Sequence, residues 1–122
     1  MGWLNNDVTY LLLKKMLDVC TLRHRIIANN IANVDTPGYK RATVIFEEKL
    51  RSLLKRGSNA EKIREIQPQI YIDETSTWRE DFNNVDIEKE MVRLSTNTLR
   101  YSIYAQLIEK KLQMIKQAIK GK

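Results

Sequence analysis

The chain has 122 residues, the length of one domain, and 43% hydrophobic with 30% charged side chains excludes a fully disordered polymer. The net charge of +6 is unevenly placed: residues 83–122 hold eight basic and four acidic side chains, and from Lys110 onward there are five lysines and no acid. A nucleic acid or an anionic surface must therefore be weighed as a partner. Cys20, the single cysteine, excludes an internal disulfide and a structural cysteine zinc site, and is expected as a small buried apolar residue. The longest apolar run, Tyr10-Leu11-Leu12-Leu13, is far short of the roughly 20 residues a membrane span needs. The polar, acidic start predicts no cleavable signal peptide, so export would need another route.

In chain order, residues 1–34 predict a long helix. Leu13, Leu17, Cys20, His24, Ile27, Ile31 and Val34 alternate spacings of four and three, as a coiled-coil seam does. Asn6 or Asp7 is placed to cap its start. Leu12, Met16, Val19 and Ile26 widen the apolar face, which points to more than one packing partner. The helix should stop before Thr36-Pro37-Gly38-Tyr39, where Pro then Gly fits a type II turn with positive φ at Gly38. Asn33 is placed to close the helix.

Residues 35–83 read as a turn followed by an irregular, partly extended middle. Phe46, Leu50, Leu53 and Leu54 predict a short helix ending at Gly57-Ser58, and Gln69-Ile70-Tyr71-Ile72 an extended piece after Pro68. The rest is polar and has few anchors for folding alone.

Residues 84–122 predict the longest helix, started by Asp86 with Glu88 and Glu90 in its first turn. Ile87, Met91, Leu94, Thr98, Tyr101, Ala105, Ile108, Leu112, Ile115 and Ile119 continue the alternation of four and three. At 1.5 Å per residue this helix is roughly 50 Å long, too long for a small globular core to cover. The expected fold is therefore mainly all-α, with long N- and C-terminal helices flanking the irregular middle.

No constellation for catalysis, no phosphate-binding loop and no metal-ligand spacing is recognisable in the sequence. Catalytic, cofactor-binding and metal-binding residues are all expected to be absent. His24 falls on the seam, where packing or partner contact is the simpler role. The aromatic residues are scattered and form no stacking platform with basic neighbours. The terminal lysines suit the negative end of a helix.

One segment is more specific. Ala28-Asn29-Asn30-Ile31-Ala32-Asn33, followed by Asp35-Thr36-Pro37-Gly38-Tyr39-Lys40, resembles the N-terminal signature of the bacterial flagellar rod, hook and hook-associated proteins. Asn84-Val85-Asp86-Ile87-Glu88-Lys89-Glu90-Met91, leading to Asn97-Thr98-Leu99-Arg100-Tyr101, resembles the C-terminal helix of the same family. The short length and the Gln106-Leu107-Ile108 continuation are most similar to its proximal rod members. The resemblance implies that the terminal helices pair as an antiparallel coiled coil. It also implies helical self-assembly into a drive shaft that transmits torque for motility. Type III export without a cleaved signal and a place in the periplasmic rod of the basal body follow from it. The implied partners are copies of the chain, other rod proteins, the small adaptor FliE, the membrane-ring protein and the export gate, with no nucleic acid or small-molecule substrate. A basic helical protein binding nucleic acid or an anionic surface is the alternative.

The implied interface comprises Ala28, Asn29, Asn30, Ile31, Asn33, Asp35, Thr36, Pro37, Gly38 and Tyr39. The seam residues are Leu13, Leu17, Ile27, Met91, Leu94, Tyr101, Ile108, Leu112 and Ile115. The amides of Asn29, Asn30 and Asn33 are expected to reach across subunits, because neutral amides give direction without charge repulsion.

Overall fold

A computed structural model describes residues 7–121 of the chain. Its elements are α1 (Val8–Ala32), β1 (Ala42–Ile45), α2 (Glu47–Lys55), α3 (Ala60–Glu65), β2 (Gln69–Ile72) and α4 (Ile87–Lys120). The two long helices pack side by side and antiparallel. Asn30 meets Glu90, Cys20 meets Asn97, and Asp7 meets Lys111.

Local chemistry starts both helices as expected. Asp7 accepts a hydrogen bond from the Tyr10 amide at 2.9 Å, and Asp86 accepts from the amides of Glu88 and Lys89. The alternative cap, Asn6, lies outside the described residues. α1 closes at Asn33, whose amide reaches back to the carbonyls of Asn29 and Asn30. The turn follows, with Gly38 at φ +75° and the Tyr39 amide donating to Thr36 O at 3.2 Å. That geometry is the type II form the Pro-Gly pair encodes.

The middle is better ordered by its neighbours than its own composition implies. α2 and β2 form where the sequence places a helix and an extended piece. β1 and α3 have no counterpart in the sequence reading. β1 pairs antiparallel with β2 in the register Ala42↔Ile72 and Val44↔Ile70. Its residues alternate between buried and half-buried, so Ala42 and Val44 face inward. α3 is one short stretch capped by Asn59, which accepts from the Lys62 amide. Ile63 anchors it and is wholly buried.

The core lies on the second apolar face of α1. Met16 and Val19 meet Val44 and Phe46, with Leu22, Ile26, Leu50, Ile66 and Tyr104 around them. The wide apolar face of α1 thus serves two partners: α4 on one side, and the sheet with α2 and α3 on the other. Segment 40–83 folds on α1, because its anchors are few but deeply inserted.

Phe46 has no exposed surface. Phe46→Ala should lower unfolding free energy by about 3–5 kcal/mol through lost burial and the cavity left behind, read as a lower urea midpoint. A Cβ at Gly38 would meet nothing within 4 Å, so Gly38→Val should destabilise only through its backbone angle, by about 1–3 kcal/mol. Gly38→Asn should cost less than Gly38→Val in the same melt, since Asn tolerates positive φ.

Candidate assembly surface

The signature segment is organised around one buried amide. The last turns of α1 carry Asn30 inward, where it has no exposed surface. Its Nδ2 donates to Ala42 O at 2.8 Å, and its Oδ1 accepts from the Ala42 amide at 2.9 Å. The side chain therefore pairs with β1 as a neighbouring strand would. Nδ2 also donates to Glu90 Oε1 at 3.1 Å, and the Tyr39 hydroxyl donates to Oδ1 at 2.9 Å. Burial and the nearby Glu90 carboxylate push the Tyr39 phenol up.

Glu90, from the first turns of α4, is also fully buried. Arg41 Nε donates to its Oε1 at 2.8 Å, and Arg41 Nη1 reaches Asp73 Oδ2 at 3.1 Å. Hydrogen bonds from the Thr75 hydroxyl and amide, aided by Arg41, hold Asp73 below the usual carboxylate range. One cluster of Asn30, Arg41, Asp73 and Glu90 thus ties α1, β1, the 73–75 loop and α4 together. A buried carboxylate is tolerated only with such partners.

The end of α1 is sealed from the far side of the sequence. Asn83 Nδ2 donates to Asn33 O, Val34 O and Thr36 O at 2.7–3.0 Å. Arg79 Nη2 donates to Val34 O at 2.8 Å, and the Gly38 amide donates to Asp81 O at 2.7 Å. Carbonyls left without helical partners are satisfied in this way. Asn84 holds the Arg41 amide through Oδ1 and Asp73 O through Nδ2, both at 2.7 Å.

The expected motif residues divide into two groups. Asn30 is inside, with Ile31, Asn33 and Tyr39 half-buried. Ala28, Asn29, Asp35, Thr36, Pro37 and Gly38 are exposed along one end of the molecule. The cross-subunit role expected of the three amides does not fit Asn30, because the chain itself occupies both ends of its amide. Asn33 Nδ2 donates to Asn29 O at 2.9 Å, its Oδ1 accepts from Thr36, and Asn29 Oδ1 shares the single Tyr39 hydroxyl proton with Asn30 Oδ1.

The seam of α4 is turned relative to its apolar pattern. The contact with the N-terminal half uses Glu90, Asn97, Tyr104 and Lys111, each seven residues from the next, together with half-buried Leu94, Ile108 and Ile115. Asn97 donates to Cys20 O at 2.7 Å. Lys111 sits 3.2 Å from Asp7. Met91, Tyr101 and Leu112 are 50, 46 and 40% exposed. On α1, Ile27 is buried, and Leu13 and Leu17 are half-buried. His24 is exposed, and Cys20 is buried, which pushes its thiol pKa up.

Hydrophobic spacing alone could not find Arg41, Asn83, Glu90 and Asn97, since each is polar and its role depends on a partner far along the chain. The signal available was the seven-residue interval between Glu90 and Asn97. Among the described residues no group of three or more His, Cys, Asp or Glu is placed to hold a metal ion, and no helix is long and apolar enough to cross a membrane.

This geometry coincides with a family signature. The profile described as "Flagella basal body rod protein" matches residues 23–40, the segment whose Asn30 organises the buried cluster. The flagellar basal body rod protein FlgB of Borrelia hermsii is 39% identical over 76% of this chain and 82% of its own length. The FlgB proteins of Aquifex aeolicus and Bacillus subtilis are 31% and 28% identical, covering 91% and 89% of this chain and 92% and 91% of their own lengths. The chain belongs to the flagellar basal body rod protein family. Within that family it is FlgB-like, and its work is structural and not enzymatic.

Two measurements probe the site. Arg41→Ala leaves the Glu90 carboxylate buried without its nearest cation and should cost about 3–5 kcal/mol. The double variant Arg41→Ala/Glu90→Ala should be less destabilised than the sum of the singles, so an additive cycle in urea melts would contradict the pairing. Separately, hydrogen bonds from Arg23 hold the Glu47 carboxyl below its usual range. A depressed folded pKa contributes stability above the unfolded carboxylate pKa of about 4.3 and loses it as pH falls further. Glu47→Gln should therefore flatten the fall in melting temperature between about pH 5 and pH 3.

Proposed function

We propose that the chain is a subunit of the proximal, periplasmic part of the rod, assembling helically through its terminal helices into the shaft that carries torque. In this reading, residues 1–34 and 84–122 form the assembling pair, and residues 35–83 brace it from one side. Its neighbours are copies of itself, other rod proteins, the adaptor FliE, the membrane-ring protein and the export gate. Delivery runs through the flagellar type III route without a cleaved signal.

One observation carries the reading. α4 is fixed to α1 by a polar row, yet it displays apolar side chains on its remaining sides along its whole length. Val92, Leu99 and Met114 are 61–65% exposed, and Ile103 and Leu107 are each 45% exposed. Apolar surface of this extent on a helix whose inward face is already occupied marks protein contact. Met91, Tyr101 and Leu112 extend that surface, and the turn residues Asp35, Thr36 and Pro37 are exposed beyond the end of α1. The load would then pass through many shallow helix contacts, and the buried cluster keeps each subunit's two helices in register.

The test separates folding from assembly. Leu99→Asp/Ile103→Asp should leave circular dichroism and thermal unfolding of the subunit close to wild type while abolishing swimming and rod completion. Normal motility with that variant would overturn the proposal. Ile27→Asp, at a position only 6% exposed, should instead lower the melting temperature of the subunit itself.

A further inference from the structure

Where α1, β1 and α4 meet, the chain leaves an open cavity of about 250 Å³. Four arginines border it: Arg23 from α1, Arg41 just before β1, and Arg93 and Arg100 from α4. No aspartate or glutamate borders it. Two of the four are already engaged within the chain. Arg23 binds Glu47, and Arg41 binds Glu90 and Asp73. The other two are not. Arg93 Nη1 approaches Glu90 Oε1 at 3.4 Å but makes no hydrogen bond, while that oxygen already accepts from Asn30 and Arg41. Arg100 is exposed and has no ion pair among the described residues. Four guanidinium groups thus stand against the three carboxylates Glu47, Asp73 and Glu90, which leaves one positive charge in excess at the cavity wall.

A neutral group in the same wall narrows the choice of occupant. Asn97 follows Arg93 by four residues and precedes Arg100 by three, so the three side chains share one face of α4. Asn97 also borders the cavity and is only 5% exposed. Its Nδ2 donates to Cys20 O at 2.7 Å, and its Oδ1 has no hydrogen-bond partner. A buried amide oxygen without a partner is costly, and such groups are rare in folded chains. The wall therefore lacks an acceptor for Arg93 and Arg100 and a donor for Asn97. Sulfate would supply only the acceptor. Hydrogen phosphate supplies both, through its anionic oxygens and its P–OH, and its oxygens suit the planar fork of a guanidinium.

We infer that this cavity is a binding site for hydrogen phosphate. Arg93 and Arg100 donate to its oxygens, and Asn97 Oδ1 accepts from its P–OH. Arg23 and Arg41 keep their carboxylate partners and add positive field. All of these residues belong to one chain, so occupation needs no second subunit. A bound phosphate would join α4 to the α1 and β1 side of the cavity and so stabilise the subunit against unfolding.

Calorimetric titration of the full chain with inorganic phosphate and with sulfate, at neutral pH and matched ionic strength, tests the site. Phosphate should bind at least about ten-fold more tightly than sulfate, because a site built to bond a ligand hydroxyl rejects an analogue that lacks it. It should also raise the melting temperature more than sulfate does. Arg100→Gln and Lys116→Gln each remove one positive charge from an exposed position, but only the first borders the cavity. Arg100→Gln should weaken phosphate binding at least about ten-fold, and Lys116→Gln should leave it within about two-fold, since a distant exposed charge is screened. Asn97→Ala should bring phosphate affinity down to that of sulfate, with circular dichroism checking its helix content because Asn97 also holds Cys20 O. If that variant does not fold, the comparison of Arg100→Gln with Lys116→Gln decides. Absent phosphate binding, equal affinity for the two anions, or equal losses in Arg100→Gln and Lys116→Gln overturns the proposal. Equal losses would mark diffuse attraction to a chain of net charge +6.

Discussion

The hydrogen bonding of a single side-chain amide sets the arrangement of everything around it. Asn30 offers one donor and one acceptor to the backbone of Ala42, and so closes the edge of β1 that β2 does not cover. Arg23 completes that edge by donating to Val44 O at 2.9 Å while gripping Glu47. With its outer edge held by a helix, a sheet of two four-residue strands can persist where an isolated hairpin would be marginal. The same amide reaches Glu90 and so fixes where α4 crosses α1. Removing it would leave a buried peptide group and a buried carboxylate short of partners, at about 1–3 kcal/mol for each neutral group.

The polar row on α4 follows from this constraint. Apolar side chains would hold two helices together in several registers with little difference in energy. Glu90, Asn97 and Lys111 each meet a specific group of the N-terminal half, at Asn30, Cys20 O and Asp7, and a slip of one turn would break all three contacts. Polar positions in helix seams commonly serve as register devices at some cost in stability. Their presence also turns the apolar residues outward. Apolar surface of this extent would be an aggregation hazard for a protein that works alone.

The ends of the molecule are specialised differently from its middle. At the loop end, Asn83, Arg79 and Asp81 bind the closing carbonyls of α1 and the Gly38 amide, making a firm platform out of irregular chain. At the other end α4 finishes in exposed lysines and aliphatic side chains.

Some of this was legible from residue order because the causes are local. The caps at Asp7 and Asp86, the stop before Pro37, the positive φ of Gly38 and the lengths of the two helices each depend on a few adjacent residues. The signature around Asn30 named the family for the same reason: it is a contiguous string. What only the tertiary structure decided are the features whose partners lie far apart in the chain. Asn30 and Glu90, 60 residues apart, read separately as an amide reaching across subunits and a dipole-favoured acid, and together they are the centre of the fold. The rotation of the α4 seam was likewise hidden, since apolar periodicity shows that a helix has faces but not which face a given neighbour takes. β1 and α3 form because Ala42, Val44 and Ile63 find a surface on α1 that the folded chain alone provides.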